Sequence, residues 1–253
     1  MSSYLVTGAS RGLGLEMVRV LASKPASEVS IIIATIRSAA PAALQEIISQ
    51  AQGRVVTVQL EVTDPANVTK VAGEVKEILG GRGLDVLINN VAVSNTTPTS
   101  VTATTTLLST FDVNVVAVQN LTLALLPLLR EGTLKTVLNM GSIVGSITYA
   151  KRFMVAPDPA YRVSKAALHC LTRLYALELE AEGFTFVAVS PGWVQTDQGG
   201  PYADLDSPTA AKATLDVLSR NREDINGKLV NIKVEGWENA TGLHKYDGGD
   251  LDW

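Results

Sequence analysis

Apolar residues along the chain fall into two alternating kinds of run. The first kind is short and almost uninterrupted, over residues 4–7, 29–36, 55–60, 84–89, 134–140, 184–190 and 228–232. The stretch VSIIIATI at 29–36 shows it best; unbroken apolarity over a strand's length predicts a parallel strand covered on both faces. The second kind is longer and spaced for helix, over 12–23, 40–52, 65–79, 106–129, 158–182 and 208–220. Local punctuation agrees. Lys24-Pro25 and Gly53 stop helices, Asp64-Pro65 supplies a cap and a first-turn proline, and Gly80-Gly81 closes the helix that follows. Strict alternation of the two kinds predicts an α/β fold, with one doubly wound parallel sheet flanked by helices on both faces and residues 1–253 forming a single domain. Ligands of such sheets bind at the carboxyl ends of the strands.

Composition narrows the partners. Hydrophobic residues are 46% of the 253 and charged residues 18%, enough for a buried core. A net charge of −4 argues against nucleic acid or an anionic membrane as partner. The strongest apolar stretch, 121–129, contains Thr122 and Pro127 and reads as too short to span a bilayer. Cys170 is the one cysteine, so no internal disulfide forms. The opening MSSYLVTGAS enters a strand pattern without a signal-like segment, and the expected location is the cytoplasm. Two histidines and one cysteine offer no metal site of plausible spacing. His169 reads as structural or exposed, Cys170 as a small core residue, and the Thr/Ser-rich stretch 96–106 as a loop over the site.

The first chemistry-bearing motif is TGASRGLG at 7–14. Gly8, Gly12 and Gly14, with Ser10 and Arg11 between them, lie where a strand passes into a helix. Such a turn brings backbone close to a pyrophosphate at a helix N-terminus; a plain tight turn is the alternative. The second strand ends in Ala34-Thr35-Ile36-Arg37. A carboxylate there would hold the ribose hydroxyls of NAD, whereas the guanidiniums of Arg37 and Arg11 suit a 2′-phosphate. NADP(H) is therefore expected over NAD(H), solvated surface arginines being the alternative.

Tyr161 and Lys165 stand four apart on the helix expected over 158–182, so they share a face. An ammonium near a phenol favours the phenolate, and a tuned tyrosine can pass a proton to a carbonyl oxygen. Ser142 follows the strand at 134–140, where the fold places ligands, and its hydroxyl can hold a carbonyl; a serine that turns the chain is the alternative. Asn114 is an amide among Val113, Val115, Val116 and Val118, and it needs partners there, structural or otherwise.

In that order, TGASRGLG, Asn89-Asn90, Asn114, Ser142, Tyr161/Lys165 and Pro191-Gly192 resemble the short-chain dehydrogenases/reductases over essentially the whole chain. The resemblance implies a Rossmann-like fold and a tetrad. Asn114 would hold a water in a proton relay, Ser142 orient the carbonyl, Tyr161 act as acid and base, and Lys165 bind ribose and lower the Tyr161 pKa. It also implies that Leu13 and Asn90 approach the cofactor and that Asp64 lies in the loop near the adenine, with Glu61 where many members have aspartate. Val194 and Thr196 would close over the nicotinamide. PGWVQTDQGG at 191–200 and the closing Tyr246-Asp-Gly and Leu251-Asp-Trp are similar to C-factor and sniffer-type carbonyl reductases, a branch that includes fungal norsolorinic acid ketoreductases. The expected activity is NADPH-dependent reduction of a small, apolar ketone or aldehyde of secondary metabolism, in a homodimer or tetramer. A non-redox isomerase or cyclase on the same scaffold is the alternative.

Two departures stand out. The family's Asn-Asn-Ala-Gly reads Asn89-Asn90-Val91-Ala92 here, which tightens the cofactor floor. The stretch from Ser142 to Tyr161 is also longer than in most members and includes Tyr149, Lys151, Arg152, Phe153, Met154 and Val155. This insert is expected to wall the substrate pocket, with Trp193 and Tyr202 opposite, or else to be a surface loop.

Overall fold

The computed structural model describes residues 1–94, 100–154 and 158–253. The chain runs β1 (Ser2–Val6), α1 (Gly12–Ser23), β2 (Val29–Ile36), α2 (Ala42–Gln50), β3 (Val55–Gln59) and α3 (Pro65–Leu79). It continues through β4 (Val86–Asn89), α4 (Leu107–Phe111), α5 (Ala117–Glu131), β5 (Thr136–Met140), α6 (Pro159–Glu178) and β6 (Thr185–Ser190). It closes with α7 (Ser207–Asp216), α8 (Arg222–Ile225), β7 (Leu229–Asn231) and β8 (Asp250–Leu251). The strands form one sheet in the order β3-β2-β1-β4-β5-β6-β7-β8. All pairings are parallel except β7 with β8.

The doubly wound fold expected from the apolar runs is the fold observed. Strands buried on both faces split the core in two. On one face Met17, Val18 and Leu21 of α1, Leu44 and Ile47 of α2 and Ala210 of α7 cover the sheet. On the other, Val71 and Val75 of α3, Leu121 and Leu125 of α5 and Ala176 of α6 cover it.

Several local readings change. The 106–129 helix runs from Leu107 to Glu131 and contains a π-helical turn, Asp112–Val116, between α4 and α5. By length and composition Leu107–Glu131 could cross a bilayer, contrary to the short apolar stretch expected there. Half of its most apolar window is buried inside the molecule, where α5 packs against α3 and β4. The two-residue β8 and the one-turn α8 were not expected, because neither is long enough to carry a periodicity. Cys170 is exposed and not a core residue, since its place on α6 faces away from the sheet. Of the loop expected over 96–106, residues 95–99 lie outside the described residues, and Val101–Ala103 form a single 3-10 turn.

The amino ends of the strands are tied by one carboxylate. Asp85 accepts from the Ser3 N–H at 2.8 Å, the Ser3 hydroxyl at 3.0 Å, the Thr133 N–H at 2.7 Å and the Thr133 hydroxyl at 2.8 Å. Burial works against its charge, but these bonds hold the carboxyl below its ordinary value. Asp85→Ala strands buried donors and should cost ~2–4 kcal/mol in urea denaturation at neutral pH. A carboxyl lowered in the fold contributes fully above the ordinary carboxylate range, and that contribution fades as pH falls through the lowered value. The gap between wild type and variant should therefore narrow in strong acid; a gap unchanged there would contradict this assignment.

Candidate active site

The carboxyl ends of the strands open on a cleft of about 900 Å³. At one end lies the glycine turn between β1 and α1. A Cβ on Gly14 would stand 2.3 Å from the Gly8 carbonyl oxygen, so only glycine lets α1 start this close to the turn. The residue before α1, Arg11, provides no side-chain cap, which leaves the leading N–H groups of the helix for a ligand. Asn90 braces the turn from behind: its Nδ2 donates to the Thr7 carbonyl at 2.7 Å, and its N–H donates to the Thr7 hydroxyl at 2.8 Å. Val91, one of the two residues that depart from the family pattern, fills the space beside Gly8, where a Cβ would meet Val91 Cγ2 at 2.9 Å.

Two arginines reach this end of the cleft. Arg37, exposed at the end of β2, lines it. Arg11 also lines it and forms an ion pair with Asp197, a residue of the loop after β6. Both partners of that pair are largely exposed, so its net contribution to stability is small. An anion entering the turn would compete with Asp197 for the Arg11 guanidinium.

The other end of the cleft is built by α6. Asp158 starts that helix: its carboxylate accepts from the N–H groups of Ala160 at 3.0 Å and Tyr161 at 3.2 Å, with Pro159 in the first turn. Tyr161 and Lys165 then rise one turn apart into the cleft. Gly145 lets the Ser142 turn approach them, for a Cβ there would stand 2.6 Å from Lys165 Cβ. Ser142 is held from its own backbone. Its N–H donates to His169 Nε2 at 3.2 Å, and burial, helped by Lys165, pushes that imidazole down to about 3, keeping it a neutral acceptor.

Burial dominates the electrostatics. Tyr161 keeps part of its surface open, yet the enclosure of its phenol pushes the pKa up to about 12; the Ser142 hydroxyl and the Gln198 side chain pull the other way. Burial pushes the Lys165 amine down to about 7. Its Nζ donates to the Met140 carbonyl at 2.6 Å and lies 5.3 Å from the centre of the Tyr161 ring. In this arrangement Ser142 and Gln198, not Lys165, oppose the rise of the Tyr161 pKa. A phenol with so high a pKa is a proton donor at neutral pH.

Most of the expected site residues meet in this one cleft. Gly8, Ser10, Arg11, Gly12, Leu13 and Gly14 line it at the glycine turn. Arg37 and Asn90 line it beside them, and Ser142, Tyr161, Lys165, Val194 and Thr196 line it further along. Two expected residues lie elsewhere. Asp64 is the cap of α3, accepting from the N–H groups of Ala66 and Asn67, while Glu61 and Val62 take the place at the cleft wall. Asn114 is fully buried and does not line the cleft. It accepts from the Val93 N–H at 2.8 Å and donates to the Val93 carbonyl and the Ser164 hydroxyl, each at 2.9 Å.

The insert divides. Phe153 lines the cleft, but Tyr149 reaches Asp252 and Arg152 donates to the Leu243 carbonyl at 2.6 Å, so much of the insert clasps the C-terminal segment. Lys151 and Met154 are exposed, and Val155 lies outside the described residues. Trp193 lines the cleft; Tyr202, 88% exposed, does not, because the loop carries it outward. Sequence reasoning missed Gln198 and His244, both in the cleft wall. Neither sits in a periodic element, and no local pattern announces them.

The short chain dehydrogenase profile matches residues 3–204, and the chain belongs to that family of oxidoreductases. It is 30% identical to the norsolorinic acid ketoreductase of Aspergillus parasiticus, over 99% of this chain and 90% of that protein. Two solved structures are similar along the full length. The NADPH-bound carbonyl reductase from chicken fatty liver is 31% identical with a TM-score of 0.85, covering 100% of this chain and 99% of that one. The carbonyl reductase Sniffer of D. melanogaster is 30% identical with a TM-score of 0.86, covering 100% of both chains.

Proposed function

We propose that this chain reduces the carbonyl of an apolar ketone or aldehyde with NADPH, Tyr161 donating the proton. The observation that carries the reading is the shared cleft: a phenol held protonated by burial opens on the same space as an uncapped, glycine-lined helix start flanked by two arginines. The glycine cradle and the Arg11 and Arg37 guanidiniums fit a dinucleotide carrying a 2′-phosphate. When bound, its nicotinamide supplies the hydride. Ser142 holds the carbonyl oxygen beside Tyr161, whose phenol gives it a proton. Lys165 orients the ribose, and the Ser142 hydroxyl and Gln198 side chain favour the phenolate left behind. The ketoreductase and carbonyl reductases similar to this chain support the same direction of chemistry, and no observation favours an isomerase or cyclase.

The test follows nicotinamide absorbance with NADPH and NADH against a panel of aryl ketones and aldehydes. Turnover preferring NADPH is expected. Carbonyl substrate consumed without loss of nicotinamide absorbance would overturn the reading. Arg37→Asp should weaken NADPH binding by ~10-fold or more while leaving NADH much less affected, since a charge-assisted pair to the 2′-phosphate is replaced by repulsion. Equal losses for both cofactors would remove Arg37 from 2′-phosphate recognition.

A further inference from the structure

The cleft carries a second acid–base group that the reduction does not use. His244 Nδ1 lies 2.7 Å from Asp204 Oδ2, and the Tyr246 hydroxyl donates to the same oxygen at 2.6 Å. The Tyr246 oxygen in turn accepts the Trp193 N–H at 3.1 Å. A carboxylate accepts, so the ring directs an Nδ1–H at Asp204, and the Nδ1–H tautomer presents Nε2 as an acceptor. Among the described residues Nε2 has no hydrogen-bond partner and is not a sealed, unsatisfied atom, and His244 lines the cleft.

The surroundings are aromatic. Phe153 stacks on the imidazole at 5.7 Å between ring centres, and the Trp193 ring lies tilted to it at 5.6 Å. Trp193 is itself locked by its Nε1 bond to the Gly199 carbonyl at 2.8 Å, yet 40% of it stays exposed at the cleft wall. A rigid, partly open indole favours a flat aromatic face. An acceptor fixed at its edge favours a group that donates a hydrogen bond.

We propose that His244, oriented by Asp204, is a substrate-recognition site for the hydroxyl of a hydroxyaryl carbonyl compound. The proposal rests on the reductase reading and narrows its substrate to planar aromatic ketones carrying a free phenolic O–H. The phenol donates to Nε2 while the ring lies against Trp193. His244 takes no part in hydride or proton transfer; it sets which ketones are held and how they are turned.

The test measures binding of a set of acetylnaphthol isomers and their methyl ethers by quenching of tryptophan fluorescence, with and without saturating NADP⁺. At least one isomer should bind the NADP⁺-loaded protein ~10-fold more tightly than its ether, a difference of one good hydrogen bond. That ratio should collapse toward one in His244→Phe, which keeps an aromatic ring, and persist in large part in His244→Gln, which keeps an acceptor. The chain has only two histidines, so imidazole nitrogen NMR on the wild-type protein gives a readout that needs no variant. The His244 Nε2 signal should shift with the acetylnaphthol and not with its ether. No isomer preference in the wild type, or an undiminished preference in His244→Phe, would overturn the proposal. Failure of NADP⁺ to bind would instead remove the reductase reading, and the two failures are distinguishable.

Discussion

Tyr161→Phe is expected to lower kcat for ketone reduction by ~10²–10⁴-fold, the range a positioned proton donor contributes. The change deletes one oxygen and keeps the ring. The start of α6 depends on Asp158 and Pro159, and the Ser142 backbone depends on His169, so neither should move. Binding of NADPH should persist, because the glycine turn and Arg37 are untouched. The effect therefore falls on kcat with little change in cofactor affinity, which steady-state kinetics and a binding titration separate. With its pKa pushed up to about 12 by burial, the phenol keeps its proton through neutral and mildly alkaline pH, so the donor form is the resting one. Turnover that survives the substitution would mean that another group supplies the proton. Gln198, whose side chain acts on the same phenol, would then need the next substitution.

The second large effect runs in opposite directions for stability and activity. Lys165 is almost wholly buried, and burial brings its amine from 10.5 in an open chain to about 7 in the fold. Between those values unfolding takes up a proton. The buried amine therefore subtracts stability, by an amount that grows as pH falls from about 10.5 and is complete below about 7. Lys165→Met removes that cost while filling similar space. A net gain of ~1–4 kcal/mol at neutral pH is expected, reduced by loss of the bond to the Met140 carbonyl. The gain should shrink toward pH 10. Reduction should meanwhile fall steeply if Lys165 orients the cofactor ribose as proposed. Thermal melting at pH 7 and pH 10 checks both sign and trend. A lower melting temperature than wild type at pH 7 would show that the amine stabilises the fold instead.

Agreement with the local setting separates the scaffold from the site. The scaffold residues agree with their local setting: Asp64 and Asp158 each cap a helix with proline behind them, and VSIIIATI is buried along nearly its whole length. The site residues do not. Lys165 is an amine in the core and Tyr161 a phenol under enclosure.

What the amino-acid sequence determined by itself was everything carried by short-range order. Strand and helix periods, the caps, the glycine turn and the four-residue spacing of Tyr161 and Lys165 each depend on neighbours within a turn or two, so the alternating fold and the core of the site could be read directly. Tertiary structure decided which distant loop tips meet. It kept the Asp64 cap off the cleft wall, bonded Asn114 to Val93 and Ser164, carried Tyr202 outward and brought Gln198 to Tyr161. It also set His244 against Asp204 across forty residues of chain and under Phe153 from the insert. Such pairs are formed by strands and helices docking as rigid bodies, and no local pattern along the chain records where their connecting loops come to rest.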